Sequence, residues 1–140
     1  MNDAVFDASA LVPVVVAHPL TGLATQFLDR HNCLTLDVAM PEVANAIWNY
    51  VRAGQVAADD AASLLATVSL LAENASDARY LPDALTLAIE RTHPVCDCMY
   101  VVYAAAMHAP LITANKKLSK KFADVVPAGI INLYDELETS

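Results

Sequence analysis

The sequence predicts an α/β fold built on a central, mainly parallel sheet flanked by helices. Short apolar runs alternate with longer stretches of helical periodicity, the order that strand–helix crossover units produce. No repeat, low-complexity linker or break in composition interrupts the alternation, so residues 1–140 read as one domain. The third observation is the placement of acids. Asp7, Glu42 and Asp97 stand at the ends or starts of apolar elements, where a fold alone has little use for them.

Each element has its own signal. Ala4 to Asp7 reads as the first strand and Cys33 to Val38 as the second. Thr21 to Arg30 reads as a helix with Leu23, Phe27 and Leu28 on its apolar side. Pro41 suits a first helical turn, where its missing N–H is not needed, and Gly54 is a stop after Ala53. Asp59 and Asp60 precede an apolar helical pattern from Ala61 to Ala72. Pro82 and Asp83 open a helix that reaches Thr92 and is broken by Pro94. Asp97 to Met107 reads as a helix buried on most sides. Pro110 to Ala114 is a strand, Lys116 to Phe122 a short helix, and Ile130 to Leu133 a last strand after a turn at Gly129. The tail from Tyr134 to Ser140 is acidic, helical or frayed.

The chain of 140 residues is long enough for a substantial core, and its 56% hydrophobic and 17% charged content is apolar even for a globular protein. No apolar stretch is long enough to span a bilayer, and the N-terminus lacks the pattern of a signal peptide, so a cytoplasmic location is expected. Three cysteines, an odd number, argue against a disulfide framework. A net charge of −8 opposes nonspecific nucleic-acid binding. The lysines, however, are concentrated: Lys116, Lys117, Lys120 and Lys121 all follow Asn115 within one short segment. They read either as a solvated helix face or as a basic patch for a phosphate backbone.

Asp7 and Asn115 fall at the C-terminal ends of expected parallel strands, outside which open α/β sheets bind ligands. Glu42 and Asp97 fall near helix N-termini, where the dipole favours negative charge. Carboxylates brought together there repel one another unless a cation intervenes. Oxygen ligands favour Mg²⁺, with Mn²⁺ as an alternative, and such an ion activates water and polarises phosphodiesters.

Four segments, in order, resemble the motifs of PIN-domain nucleases: Val5-Phe6-Asp7-Ala8-Ser9-Ala10-Leu11, Pro41-Glu42-Val43-Ala44-Asn45-Ala46, Cys96-Asp97-Cys98-Met99-Tyr100-Val101-Val102-Tyr103-Ala104 and Leu111-Ile112-Thr113-Ala114-Asn115-Lys116-Lys117-Leu118. The resemblance covers nearly the whole chain and implies a PIN-like three-layer α/β/α fold. A chain this short looks most like VapC-type toxins. That likeness implies a Mg²⁺-dependent endoribonuclease acting on RNA, a homodimer, and a cognate antitoxin protein that silences it. It carries over Asp7, Glu42 and Asp97 as metal ligands and catalytic residues, with Asn115 in the fourth catalytic position. That position is the departure, because the family usually has Asp there. Asn supplies neither negative charge nor a base, although its carbonyl can still face a metal or a ligand water. Asp124, shortly downstream, is a candidate substitute. One firm metal position is expected.

Plainer readings stand beside these. Asp7 and Ser9 can make local turn bonds, Glu42 can be an ordinary first-turn acid, and Asp97 can cap a helix. Ser9, Thr113 and Asn45 are candidates for orienting the ligands, and Tyr100, one turn after Asp97, reads as packing. Cys96 and Cys98 read as small core residues. Histidines 18, 31, 93 and 108 show no ligand spacing, and no glycine-rich phosphate loop is present. Trp48, with Ile47, Tyr50 and Val51, reads as core packing, or alternatively as a dimer or antitoxin contact. Two other functions compete with the nuclease: a catalytically weakened PIN-fold nucleic-acid-binding protein, and a phosphoacceptor receiver domain. The receiver reading is disfavoured by the missing early acidic pair.

Overall fold

In the computed structural model, which describes residues 1–139, five parallel strands form one sheet in the order β3-β2-β1-β4-β5. They are β1 (Asn2–Phe6), β2 (His31–Leu36), β3 (Glu73–Ala75), β4 (Leu111–Thr113) and β5 (Ile130–Asn132). The helices are α1 (Ala8–Val15), α2 (Thr21–Arg30), α3 (Ala39–Arg52), α4 (Ala61–Leu71), α5 (Leu81–Arg91), α6 (Val95–Ala106), α7 (Lys116–Lys121) and α8 (Leu133–Thr139). The layers are α/β/α. Helices α1 to α4 pack on one another, while α6 lies on β1 and β4 with α5 behind it.

β1 is the centre of the sheet. Ala4, Val5 and Phe6 are fully buried, as expected for a parallel strand covered on both faces. Thr35 is equally buried and satisfies its hydroxyl on the Phe6 carbonyl at 2.7 Å. From β1 the chain winds outward through β2 and β3, then crosses back to β4 and β5 on the other side. This reversal opens a crevice between the carboxyl ends of β1 and β4.

Helix signals in the sequence place α2 to α7 to within about two residues, the ordinary uncertainty of helix ends. Gly54 stops α3 as expected. With φ of +77° it lets Gln55 N–H reach the Tyr50 carbonyl at 2.9 Å and its own N–H reach Val51 at 3.0 Å. The start of α3 has no side-chain cap of its own, and Asp77 supplies one from a distant loop by accepting the Val38 N–H at 3.1 Å. Of the acidic tail, Tyr134 to Thr139 is helical as part of α8, and Ser140 lies outside the described residues.

Several expectations need correction. The first strand is Asn2–Phe6, and Asp7 leaves it to cap a helix. That helix, α1, was not expected, because its residues are apolar apart from Ser9 and Pro13 lies inside it. β2 begins at His31, before Cys33. β3 carries no strand signal, since Glu73, Asn74 and Ala75 are poor strand formers; they pair at the sheet edge with Leu34, Thr35 and Leu36. Among the described residues, no helix is long and apolar enough to cross a membrane.

Because Phe6 is fully buried at the sheet centre, Phe6→Ala is expected to cost about 3–5 kcal/mol of unfolding free energy. Urea titration followed by circular dichroism would measure it.

Candidate active site

Asp7, Ser9, Glu42, Asp97, Tyr100 and Asn115 line one cavity of about 70 Å³ at the mouth of the β1–β4 crevice. Four segments distant in sequence therefore meet, as the sequence predicts. Asp7 follows the end of β1, Glu42 lies in the first turn of α3, Asp97 in the first turn of α6, and Asn115 caps α7 just beyond β4.

Asp7 is 5% exposed, and its carboxylate is held from three sides. Oδ1 accepts the Ser9 hydroxyl at 2.6 Å and the Ala10 N–H at 3.1 Å. Oδ2 accepts the Thr113 hydroxyl. The local bonds expected of Asp7 and Ser9 therefore form, with Asp7 as the cap of α1, and they coexist with a place in the cavity. Ser9 and Thr113 in turn accept backbone N–H groups, Ala114 at 2.8 Å and Asn115 at 3.0 Å, which fixes the exit of β4 against the start of α1. Three of about four acceptor positions on Asp7 are filled, leaving one on Oδ2.

Two residues that sequence reasoning missed position the other carboxylates. Tyr100, buried as the packing reading requires, also donates its hydroxyl to Glu42 Oε1 at 2.6 Å. His93 Nε2 lies 2.8 Å from Asp97 Oδ2, and its ring is wedged edge-on against Phe122. The spacing of four residues between His93 and Asp97 was the available signal, but Pro94 between them removes the helical logic that would have linked them. Asn115 Nδ2 reaches the same oxygen, Asp97 Oδ2, at 3.3 Å. Its carbonyl is spent on the N–H groups of Lys117 and Leu118 at 3.1 and 3.2 Å, so the expected carbonyl contact to a metal gives way to an amide donor on Asp97.

The remaining candidates separate. Asn45 is exposed and lies outside the cavity. Asp124 is bound by both terminal nitrogens of Arg91, at 3.1 and 2.9 Å, which holds its carboxyl below the usual range; it does not substitute for the fourth acid. Lys116 pairs with Glu138 at 3.6 Å and Lys121 donates to the Thr92 carbonyl at 3.0 Å. Lys117 and Lys120 are exposed, with no side-chain partner among the described residues. Cys98 is buried, but Cys96 is exposed, contrary to the core reading, because the two face opposite sides of α6. Trp48 is 54% exposed with the Arg52 guanidinium 4.3 Å over its ring, which corrects the core reading there too.

The electrostatics are those of crowded acids. Burial pushes the Asp7 carboxyl up to about 6, against the pull of its hydrogen bonds, and Asp97 adds repulsion. Burial raises Glu42, Tyr100 opposes this, and Asp97 and Asp77 raise it further. Hydrogen bonds leave Asp97 Oδ1 and Glu42 Oε2 open. The donor set is all oxygen with spare lone pairs, which fits a hard cation. Among the described residues, no three His, Cys, Asp or Glu side chains close around a single point. The donor set therefore suits a partly hydrated hard divalent cation that takes one or two carboxylates directly.

These features are shared with known proteins. The PIN domain profile matches residues 4–123, and the chain belongs to the PIN domain family. It is 32% identical over 126 residues to Ribonuclease VapC3 of Pyrobaculum aerophilum, covering 87% of this chain and 96% of that protein. The fold is similar to the crystal structure of PAE2754 from Pyrobaculum aerophilum, with a TM-score of 0.73, 22% identity, and 99% and 88% of the two chains covered. It is also similar to a toxin–antitoxin complex from Klebsiella pneumoniae, with a TM-score of 0.68, 18% identity, and coverage of 94% and 98%.

With its folded value near 6 against an ordinary 3.8, Asp7 binds more protons in the native than in the unfolded chain between those values. Stability of the metal-free protein is therefore expected to fall as pH rises from about 4 through about 6, by about 2–3 kcal/mol, and to level off above. Thermal melts across this range should show the loss, and Mn²⁺ at neutral pH should restore it.

Proposed function

We propose that this chain is a divalent-cation-dependent endoribonuclease of the VapC toxin type, acting in the cytoplasm. The observation that carries the reading is the meeting of Asp7, Glu42 and Asp97 in one cavity with acceptor positions to spare. Its likeness to a protein named as a ribonuclease supports RNA as the substrate.

Asp7, Glu42 and Asp97 would hold Mg²⁺, or Mn²⁺ in its place, one or two of them directly and the rest through its waters. Such an ion supplies Lewis-acid polarisation of a phosphodiester and a more acidic water. The protein's part is to keep the acids fixed. Ser9 and Thr113 orient Asp7, Tyr100 orients Glu42, and His93 and Asn115 hold one oxygen of Asp97 so that the other is presented. Glu42, raised by burial, is suited to receive a proton from the attacking water. Lys117 and Lys120 would meet the phosphate backbone, with Lys116 and Lys121 partly committed to the fold.

Partner surfaces suit the same assignment. A cleft of about 310 Å³ between α3 and α4, lined by Ala44, Ile47, Trp48, Val51, Ala61 and Leu65, would receive an apolar antitoxin segment. The exposed stripe Leu81, Leu85 and Ile89 on α5 would bury itself in a homodimer. Asn115 supports a second reading, a PIN-fold nucleic-acid-binding protein with weakened catalysis, because an amide now faces Asp97 where the family has an acid.

The deciding experiment is cleavage of single-stranded RNA with Mg²⁺ or Mn²⁺, alongside Mn²⁺ titration calorimetry. Asp7→Asn, Glu42→Gln and Asp97→Asn are each expected to lower cleavage by about 100-fold or more. Equal activity in wild type and variants would refute the assignment. A wild type inactive with every divalent ion, but active and tighter for Mn²⁺ as Asn115→Asp, is the result the second reading expects.

A further inference from the structure

Beside the acidic cavity lies a second one, of about 290 Å³, and Ser9 lines both. Its walls include Pro13, His18, Tyr50, Ala114 and Tyr134. Three of these are half-buried aromatic rings with a polar end, drawn from the α1–α2 connection, α3 and α8.

Each ring is fixed or equipped for contact. His18 Nδ1 accepts the Leu20 N–H at 3.0 Å, and a peptide nitrogen cannot accept in return. Nδ1 therefore offers a lone pair, and the proton of the neutral ring sits on Nε2, a free donor. Tyr134 packs edge-on against His18, with centroids 6.3 Å apart. Its backbone is held by the buried Asn132, whose Oδ1 accepts the Tyr134 N–H at 2.9 Å. Among the described residues, neither the Tyr50 nor the Tyr134 hydroxyl has a hydrogen-bond partner. Lys116 Nζ lies 5.6 Å over the Tyr134 ring.

The geometry points to this cavity as a subsite for one unpaired base of a single-stranded nucleic acid whose adjoining phosphate enters the acidic cavity. The inference rests on the nuclease reading above and adds where the substrate is gripped beside the acids. An aromatic wall stacks on any base, and free hydroxyl and imidazole donors read a base edge. A base inside a duplex is stacked and paired, so it cannot enter such a recess. Lys116 lies over the Tyr134 ring and shares its charge with Glu138 at 3.6 Å.

The test uses short oligoribonucleotides carrying the mapped cleavage site, with an abasic position on one or the other side of the scissile phosphate. At one of the two positions the abasic change should lower wild-type kcat/KM roughly 10-fold, mostly through KM, while Tyr134→Ala should show the same loss on intact RNA and none further on abasic RNA. Tyr134→Phe, which keeps the ring but loses the hydroxyl, should fall between wild type and Tyr134→Ala, and Mn²⁺ affinity should not change in Tyr134→Ala. Penalties that add in Tyr134→Ala, or indifference of the wild type to both abasic positions, would overturn the subsite alone. A wild type that cleaves no RNA with any divalent ion would instead remove the nuclease reading and the subsite with it.

Discussion

A buried carboxylate at the join between two strands organises this protein. Asp7 ends the central strand, begins α1 through its cap, and draws Thr113 of β4 against it. Burying an acid is expensive unless its acceptors are matched, and here the matching groups come from both sides of the sheet reversal. Ser9 and Thr113 receive backbone N–H groups from the β4 exit while donating to Asp7, so the acid and the strand end are fixed together. The crevice exists because the topology reverses there, and it has a defined shape because Asp7 ties its two lips.

The same economy extends around the cavity. Tyr100 and His93 each give one donor to one oxygen of a neighbouring acid, and Asn115 adds a second donor on Asp97. None of these donors neutralises the acids outright, and Asp7 and Glu42 keep raised values because they are buried, with repulsion from Asp97 adding to the shift. The cluster is therefore ordered but electrostatically incomplete, which is the condition a cation relieves. Asn115 brings an amide donor and no negative charge to the cluster. It retains the helix cap, since its carbonyl oxygen still serves α7.

Much of this was legible in the sequence, and the rest was hidden for physical reasons. The four site segments were readable because each couples an apolar element to a polar residue at its end. Helix α1 was not, because Ala8 to Val15 has no polar face and Pro13 argues against a helix. β3 was not, because its place depends on pairing with β2 rather than on its own side chains. His93 was hidden by the break at Pro94, and Tyr100 by a ring that is buried and hydrogen-bonded at once. Asn45 shares a helix with Glu42, yet it lies on the exposed face of α3, while Val43 and Ile47 keep the other face buried. The lysine segment looked like one patch, but only tertiary contacts show that Lys116 and Lys121 have local partners.

The double duty of Asp7 changes what its presence says about the history of this chain. A descendant that had lost all catalysis would still be under selection to keep an oxygen acceptor there, because α1 and the β4 exit depend on it. Glu42 is different. It caps nothing, sits partly buried beside two other acids, and accepts only the Tyr100 hydroxyl. Glu42 is thus the acid with the narrower tie to the fold, a single bond from the buried Tyr100 hydroxyl against the three that Asp7 accepts.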